Sequence, residues 1–94
     1  MKFEWDAQKA KANKAKHNVS FEEAQSVFSD EFARVIFDES HSNDEARFVI
    51  LGLSQRLRIL VVVHCFRSGN STIRIISARK ATQNEQKQYK ELRK

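Results

Sequence analysis

At 94 residues the chain has room for one compact domain, 1–94, because two cores would each bury too little apolar surface to offset the entropy of ordering them. Its 40% hydrophobic and 31% charged residues are an ordinary globular composition, and the longest apolar run, Ile59 to Val63, is far too short to cross a bilayer, so no membrane span is expected. The net charge of +5 is unevenly spread: five lysines lie in residues 1–17 and seven Lys and Arg in 74–94, while eight carboxylates and only two arginines occupy 20–48. Basic ends around an acidic middle can fold into one positive patch for a polyanion, and solvated helix faces give the same count without a ligand.

The opening Met1-Lys2-Phe3-Glu4-Trp5-Asp6 has no apolar middle of a secretory signal, which predicts a cytoplasmic protein. Lys2 to Trp5 reads as a short strand or an extended lead-in. Asp6 then suits a helix N-cap, Ala7 to His17 is rich in helix formers, and Asn18 can take the left-handed conformation that ends a helix. At 100° per residue Lys9, Asn13, Lys16 and His17 share one stripe, which can bind phosphates or face water. A second helix opens at Ser20 and Glu23, in capping-box spacing, with Phe21, Ala24, Val27 and Phe28 as its buried stripe, and ends near Ser29 or Asp30.

Arg34 to Phe37 is predicted as a strand and Asp38 to Asp44 as a loop. Arg47 to Leu53 forms the next strand, where Gly52 suggests a bulge, and Leu57 to Phe66 the longest, apolar on both sides and therefore central. A turn through Gly69 leads into a last strand, Thr72 to Ala78. Short connections make these four strands an antiparallel meander. Thr82 and Glu85, again in capping-box spacing, open a third helix with a thin apolar seam of Ala81, Tyr89 and Leu92. The expected class is α+β: two N-terminal helices and a C-terminal helix on a central antiparallel sheet of about four strands.

His17, His41 and His64 are dispersed and Cys65 stands alone in a valine-rich strand, where it reads as a small buried residue; no spacing resembles a metal site, and no cofactor is expected. Two glycines cannot build a phosphate loop. What remains is a set of cationic and hydrogen-bonding groups: Lys9, Asn13, Lys16, His17, Arg47, Arg74, Arg79 and Tyr89. Such a set can cleave RNA without a metal, because RNA carries its own nucleophile, the 2′-hydroxyl. The arginine fork meets phosphate oxygens bidentately, and His17, Lys16 or Tyr89 can move protons. Each arginine can equally pair with a carboxylate. Arg74 and Arg79 are five residues apart, so in an unbroken strand they face opposite sides, and both can serve one phosphate only if the strand bends or ends before Arg79, near Ser77 or Ala78.

Trp5-Asp6-Ala7-Gln8-Lys9 with Asn13 and Lys16-His17, then Val19-Ser20-Phe21-Glu22-Glu23-Ala24, Arg47-Phe48, Arg74-Ile75-Ile76-Ser77-Ala78-Arg79 and Glu85 with Tyr89 resemble the BrnT family of toxins from type II toxin–antitoxin pairs. One position departs from the pattern, Gln86, where a basic residue is expected. The resemblance implies a RelE-like fold and a metal-independent endoribonuclease that arrests translation. It also implies a BrnA-type ribbon-helix-helix antitoxin, through which the pair binds operator DNA and represses its own operon. On this reading Arg74, Arg79 and Arg47 bind phosphate, His17 or Tyr89 transfers protons, and Lys9, Asn13 and Lys16 contact RNA. A non-catalytic basic module that binds nucleic acid, or that completes a partner's repressor, is the competing reading.

Overall fold

The computed structural model describes residues 1–38 and 45–93, with Asp38 placed by its backbone; most of the loop expected over Asp38 to Asp44, His41 included, lies outside the described residues. The elements run β1 (Lys2–Glu4), α1 (Ala7–His17), α2 (Phe21–Ser26), a 3₁₀ turn (Val27–Ser29), β2 (Arg34–Asp38), β3 (Arg47–Leu53), β4 (Ile59–Arg67), β5 (Thr72–Lys80) and α3 (Gln83–Leu92). Helix starts sit where capping side chains satisfy the free first-turn N–H groups. Asp6 Oδ1 accepts from the N–H of Gln8 and Lys9 at 2.8 and 3.0 Å, and Ser20 Oγ from the N–H of Glu23 at 3.0 Å. Thr82 and Glu85 form a complete capping box. Asn18 ends α1 in the left-handed region at φ 57°.

Among the described residues the sheet has five strands in the order β1-β5-β4-β3-β2 and is mixed, which corrects the expected antiparallel sheet of about four. Lys2 to Glu4 is the fifth strand and lies parallel to β5, with Phe3 opposite Ile73. Three residues pairing across so long a stretch of chain have no turn to announce them, so nothing local marks the contact. β4 also starts later than expected: Leu57 adopts φ 63° in the turn and is exposed. Gly52 marks no bulge. It stands in regular register opposite Leu60, where a Cβ would lie 2.8 Å from Val27 Cγ1 and 2.9 Å from Ala33 Cβ, so glycine is needed for close approach. The irregularity is in β5, where Ser77 pairs with Val63 and Ile75 with His64, leaving Ile76 as an extra residue.

One sheet face carries Ile50, Leu60, Val62, Ile73, Ile75 and Ala78, which close with Val19, Phe21, Ala24 and Val27 into the core. Beneath the helical layer lies a second network. Glu23, 2% exposed, receives hydrogen bonds from Arg58 Nε at 2.9 Å, from Arg58 Nη2 and from Ser54 Oγ at 2.7 Å, while Arg58 Nη2 also donates to the Asn18 carbonyl at 3.0 Å. One guanidinium thus ties the end of α1, α2 and the β3–β4 turn together. Among the described residues no helix is long and apolar enough to cross a membrane.

His64 sits on the core face among Phe28, Phe66 and Phe48, with ring centroids at 4.8, 5.6 and 6.1 Å. Burial there lowers its pKa below the ordinary 6.5. The unfolded chain therefore binds the proton more readily, so the stabilising neutral form is fully present above pH 6.5 and stability falls as the pH drops through and below that value. Urea unfolding at pH 7.5 and 5.5 should show a loss of at most about 1.4 kcal/mol per pH unit from this group. The loss should shrink in His64→Phe; an unchanged pH slope in that variant would place the titration elsewhere.

Candidate functional site

The extra residue in β5 decides what the other sheet face presents. Arg74 pairs with Cys65 and Arg79 with Val61, two β4 residues four apart and hence on one face. The bulge cancels the odd spacing, and both arginines look the same way. Arg47 also pairs with Cys65, from β3. One row across the sheet therefore reads Glu4, Arg74, Cys65, Arg47, and a row two residues along β4 from Ile59 reads Arg79, Val61, Leu51, Arg34. Val49, Val63 and Ile36 form an apolar floor between them, opposite Ser77 of β5.

α3 walls one end of this face. Arg79 forks onto Glu85, Nη1 to Oε1 at 2.8 Å and Nη2 to Oε2 at 2.9 Å, and Glu85 Oε1 also accepts from the N–H of Thr82 at 2.8 Å. The Arg79 guanidinium holds the Glu85 carboxyl down at about 2. Between sheet and helix runs a groove of about 220 Å³, floored by Ile36, Val49, Leu51 and Val61 and edged by Arg34, Glu85 and Gln88. At the opposite end Arg74 Nη1 donates to Glu4 Oε2 at 2.7 Å, and Arg67 meets Glu45 at 3.3 Å. Desolvation raises the pKa of the Cys65 thiol beneath this row, so it stays neutral. The face thus offers guanidinium forks around an apolar strip, with carboxylates as their partners, Glu4 exposed and Glu85 half-buried. An incoming phosphate can readily take the place of Glu4, because such a surface pair holds by at most about 1 kcal/mol, while the bidentate Glu85 is the harder to displace.

The other residues singled out from the sequence are placed elsewhere. Asn13 does not share a solvent stripe with Lys9 and Lys16: it is buried, its Nδ2 donating to the Val19 and Ala78 carbonyls at 3.0 and 2.8 Å and its Oδ1 accepting from the Ala78 N–H at 3.1 Å. β1 stops at Arg74, so the Asn13 amide takes over the role of a neighbouring strand for the exposed backbone edge of β5. Asn13→Ala takes this partner from the Ala78 N–H and carbonyl and from the Val19 carbonyl and, at about 1–3 kcal/mol per orphaned group, should cost at least about 2 kcal/mol. A thermal midpoint unchanged by the substitution would remove this role. Tyr89 is also structural: 1% exposed, it donates to Asp30 Oδ2 at 2.6 Å, and burial pushes its pKa up to about 12, out of range for a proton donor at neutral pH.

Lys9 and Lys16 are exposed on α1, and His17 is half-buried at its end, where Asn18 is tied to Arg58 on the helical side of the sheet. The structure therefore unites Arg47, Arg74 and Arg79 and leaves His17 with the other layer. Sequence reading missed Arg34, Glu4 and Arg67. Arg34 had a signal, since it alternates with Ile36 and so shares its face; Glu4 had none without the parallel pairing. Among the described residues no group of three or more His, Cys, Asp or Glu is gathered to hold a metal.

Comparison with protein families matches residues 5–85 to the family described as "Ribonuclease toxin, BrnT, of type II toxin-antitoxin system". Among solved structures, the crystal structure of the Brucella abortus ribonuclease toxin BrnT superposes with a TM-score of 0.67 at 28% identity, covering 88% of this chain and 99% of that one. A comparison with curated proteins gives no match.

Proposed function

Because the chain belongs to the BrnT family of ribonuclease toxins of type II toxin–antitoxin systems, we propose that its arginine-bearing sheet face binds an RNA strand and cleaves it without a metal ion. The observation that carries this reading is the bulge at Ile76, which sets Arg74 and Arg79 on the face that also holds Arg47. A phosphate entering the row of Arg74 and Arg47 displaces Glu4 from Arg74, and a neighbouring phosphate of the same strand competes with Glu85 for Arg79. The forks then hold the non-bridging oxygens and stabilise the charge that builds on them as the 2′-hydroxyl attacks phosphorus in line. The P–O5′ bond breaks and the departing 5′-oxygen takes a proton from solvent, giving a 2′,3′-cyclic phosphate and a 5′-hydroxyl end.

Glu4, freed but still beside Arg74, is placed to take the 2′-hydroxyl proton; Glu85, with its depressed pKa, is the poorer base. Lys9, Lys16 and His17 act outside this centre, meeting the flanking backbone of a longer RNA. The family implies an antitoxin, and a BrnA-type ribbon-helix-helix partner fits a cationic face that must be masked; the pair then represses its operon in the cytoplasm by arresting the toxin and binding operator DNA through the antitoxin. The test is purified protein, freed of antitoxin, incubated with RNA in EDTA. Fragments with 2′,3′-cyclic phosphate ends are expected. RNA that stays intact in EDTA but is cut with added Mg²⁺ overturns the metal-free mechanism, and RNA intact in both overturns the cleavage.

A further inference from the structure

Among the described residues the outer edge of β2 is unpaired in the sheet order, and of the features that keep an edge from pairing it has only a charged residue at each end. Its residues run Arg34-Val35-Ile36-Phe37-Asp38, with no proline, lysine or bulge, and Val35, Ile36 and Phe37 are each 51% exposed. Three consecutive half-exposed apolar residues cannot all be explained by one buried face, because alternate residues look to opposite sides. They do fit a strand that pairs at its edge and is covered on both sides. The two charges at its ends are of opposite sign and equidistant from Ile36.

We propose that β2 is a homodimerisation edge, pairing antiparallel with β2 of a second copy about a twofold axis through Ile36. In that register Arg34 of one copy comes opposite Asp38 of the other, Val35 opposite Phe37, and Ile36 opposite itself. Every apolar residue meets an apolar one and each cation meets an anion, the arrangement that stabilises cross-strand pairs. A twofold contact requires the patch to complement itself, and this five-residue sequence does so in one register; a shift of two residues would put Arg34 opposite Ile36 and break both charge pairs. The result is a continuous ten-stranded sheet.

The dimer also bears on the groove beside α3. Arg34 and Ile36 edge and floor it, so the second copy's Ile36 extends the apolar floor across the axis, and the two arginine faces become one surface. A strand pair of five residues is a small interface, so dimerisation is expected in the micromolar range and dependent on concentration. The overall charge of +5 works against it at low salt. The inference does not depend on RNA cleavage.

The test uses the full chain with a cysteine at the axis. Ile36→Cys places two thiols on facing residues whose Cα atoms are about 4.5–5.5 Å apart, within disulfide reach. With copper phenanthroline as oxidant it should give a covalent dimer, and Val35→Cys, out of register with itself, should not. The native Cys65 is buried and supplies little background. In sedimentation velocity on reduced protein, Arg34→Asp should shift the association to at least tenfold higher concentration, and the exchange pair Arg34→Asp with Asp38→Arg should restore it. Equal crosslinking at 35 and 36 overturns the register. A monomer at every concentration, with no Ile36→Cys dimer, overturns the proposal, and protection of the β2 amides from hydrogen exchange that appears only on adding antitoxin assigns the edge to that partner instead.

Discussion

Arg74→Ala is expected to lower RNA cleavage by about 10²–10³-fold, the loss typical of removing one preorganised donor to a charge that develops in the transition state. Stability should hardly change, since the side chain is 30% exposed and its pair with Glu4 is a surface pair, worth up to about 1 kcal/mol. Arg74→Lys keeps the charge but loses the fork, so it should recover only part of the rate. His17→Ala is the contrasting variant: it sits on the helical side and should cost less than about tenfold, in the range of a flanking contact rather than a transition-state donor. Single-turnover cleavage with matched melting curves measures all three. If Arg74→Ala retained full activity, or if His17→Ala were the more damaging, the site would have to be moved off this sheet face.

The largest stability effect should come from Arg58→Ala. Removing this guanidinium leaves Glu23, 2% exposed, ionised and held only by Ser54, and breaking a buried pair from one side costs about 3–5 kcal/mol. For a chain of this size that corresponds to roughly 4–8 °C of melting temperature per kcal/mol. Glu23→Ala in the Arg58→Ala background should restore part of the loss, because it removes the stranded charge. An Arg58→Ala variant that melts within about 1 kcal/mol of the parent would mean that Glu23 reaches water once its partner is gone. The pair also lowers the Glu23 pKa, with the Arg58 hydrogen bonds as the main cause. The stabilisation is therefore present above the ordinary carboxylate value of 4.5 and lost as the pH falls below it.

Local chemistry was legible in the sequence, and long-range pairing was not. Asp6, Ser20 and Thr82 cap the helices, and Asn18 ends the first helix in the left-handed region, as read from the residues, because a cap is a contact between near neighbours. The strand Arg47–Leu53 was read to the residue for the same reason: its apolar run is bounded by polar turns. Lys2 to Trp5 was read as a short strand or an extended lead-in, and Lys2–Glu4 is a strand; its parallel pairing escaped because the partner is far along the chain. Ser20 and Glu23 show the limit of a spacing argument, since only half of the capping box forms and the Glu23 carboxylate is drawn inward by Arg58, thirty-five residues away. The arginines were found by residue type and resemblance, but their common face was not, because alternation alone puts Arg74 and Arg79 on opposite sides. Asn13 was misplaced by its polarity: an amide that satisfies three backbone partners looks, in sequence, like one that faces water.

The surplus residue of β5 gives this strand an unusual tolerance to shortening. With Ile76 removed, the remaining residues alternate regularly: Ile73, Ile75 and Ala78 stay toward the core, and Arg74, Ser77 and Arg79 stay on the opposite face, each still opposite its β4 partner. Removing Ile75 instead gives the same sequence, because Ile76 takes its place, whereas removing Ser77 draws Ile76 into a position on the site face, and cutting Ala78 also removes the group that anchors Asn13. A deletion scan along residues 73–79 should therefore show one permissive step, the loss of one of the two adjacent isoleucines Ile75 and Ile76, in melting temperature as well as in cleavage. The strand's length, and not only its composition, is thus under constraint, with a single place at which that constraint is relaxed.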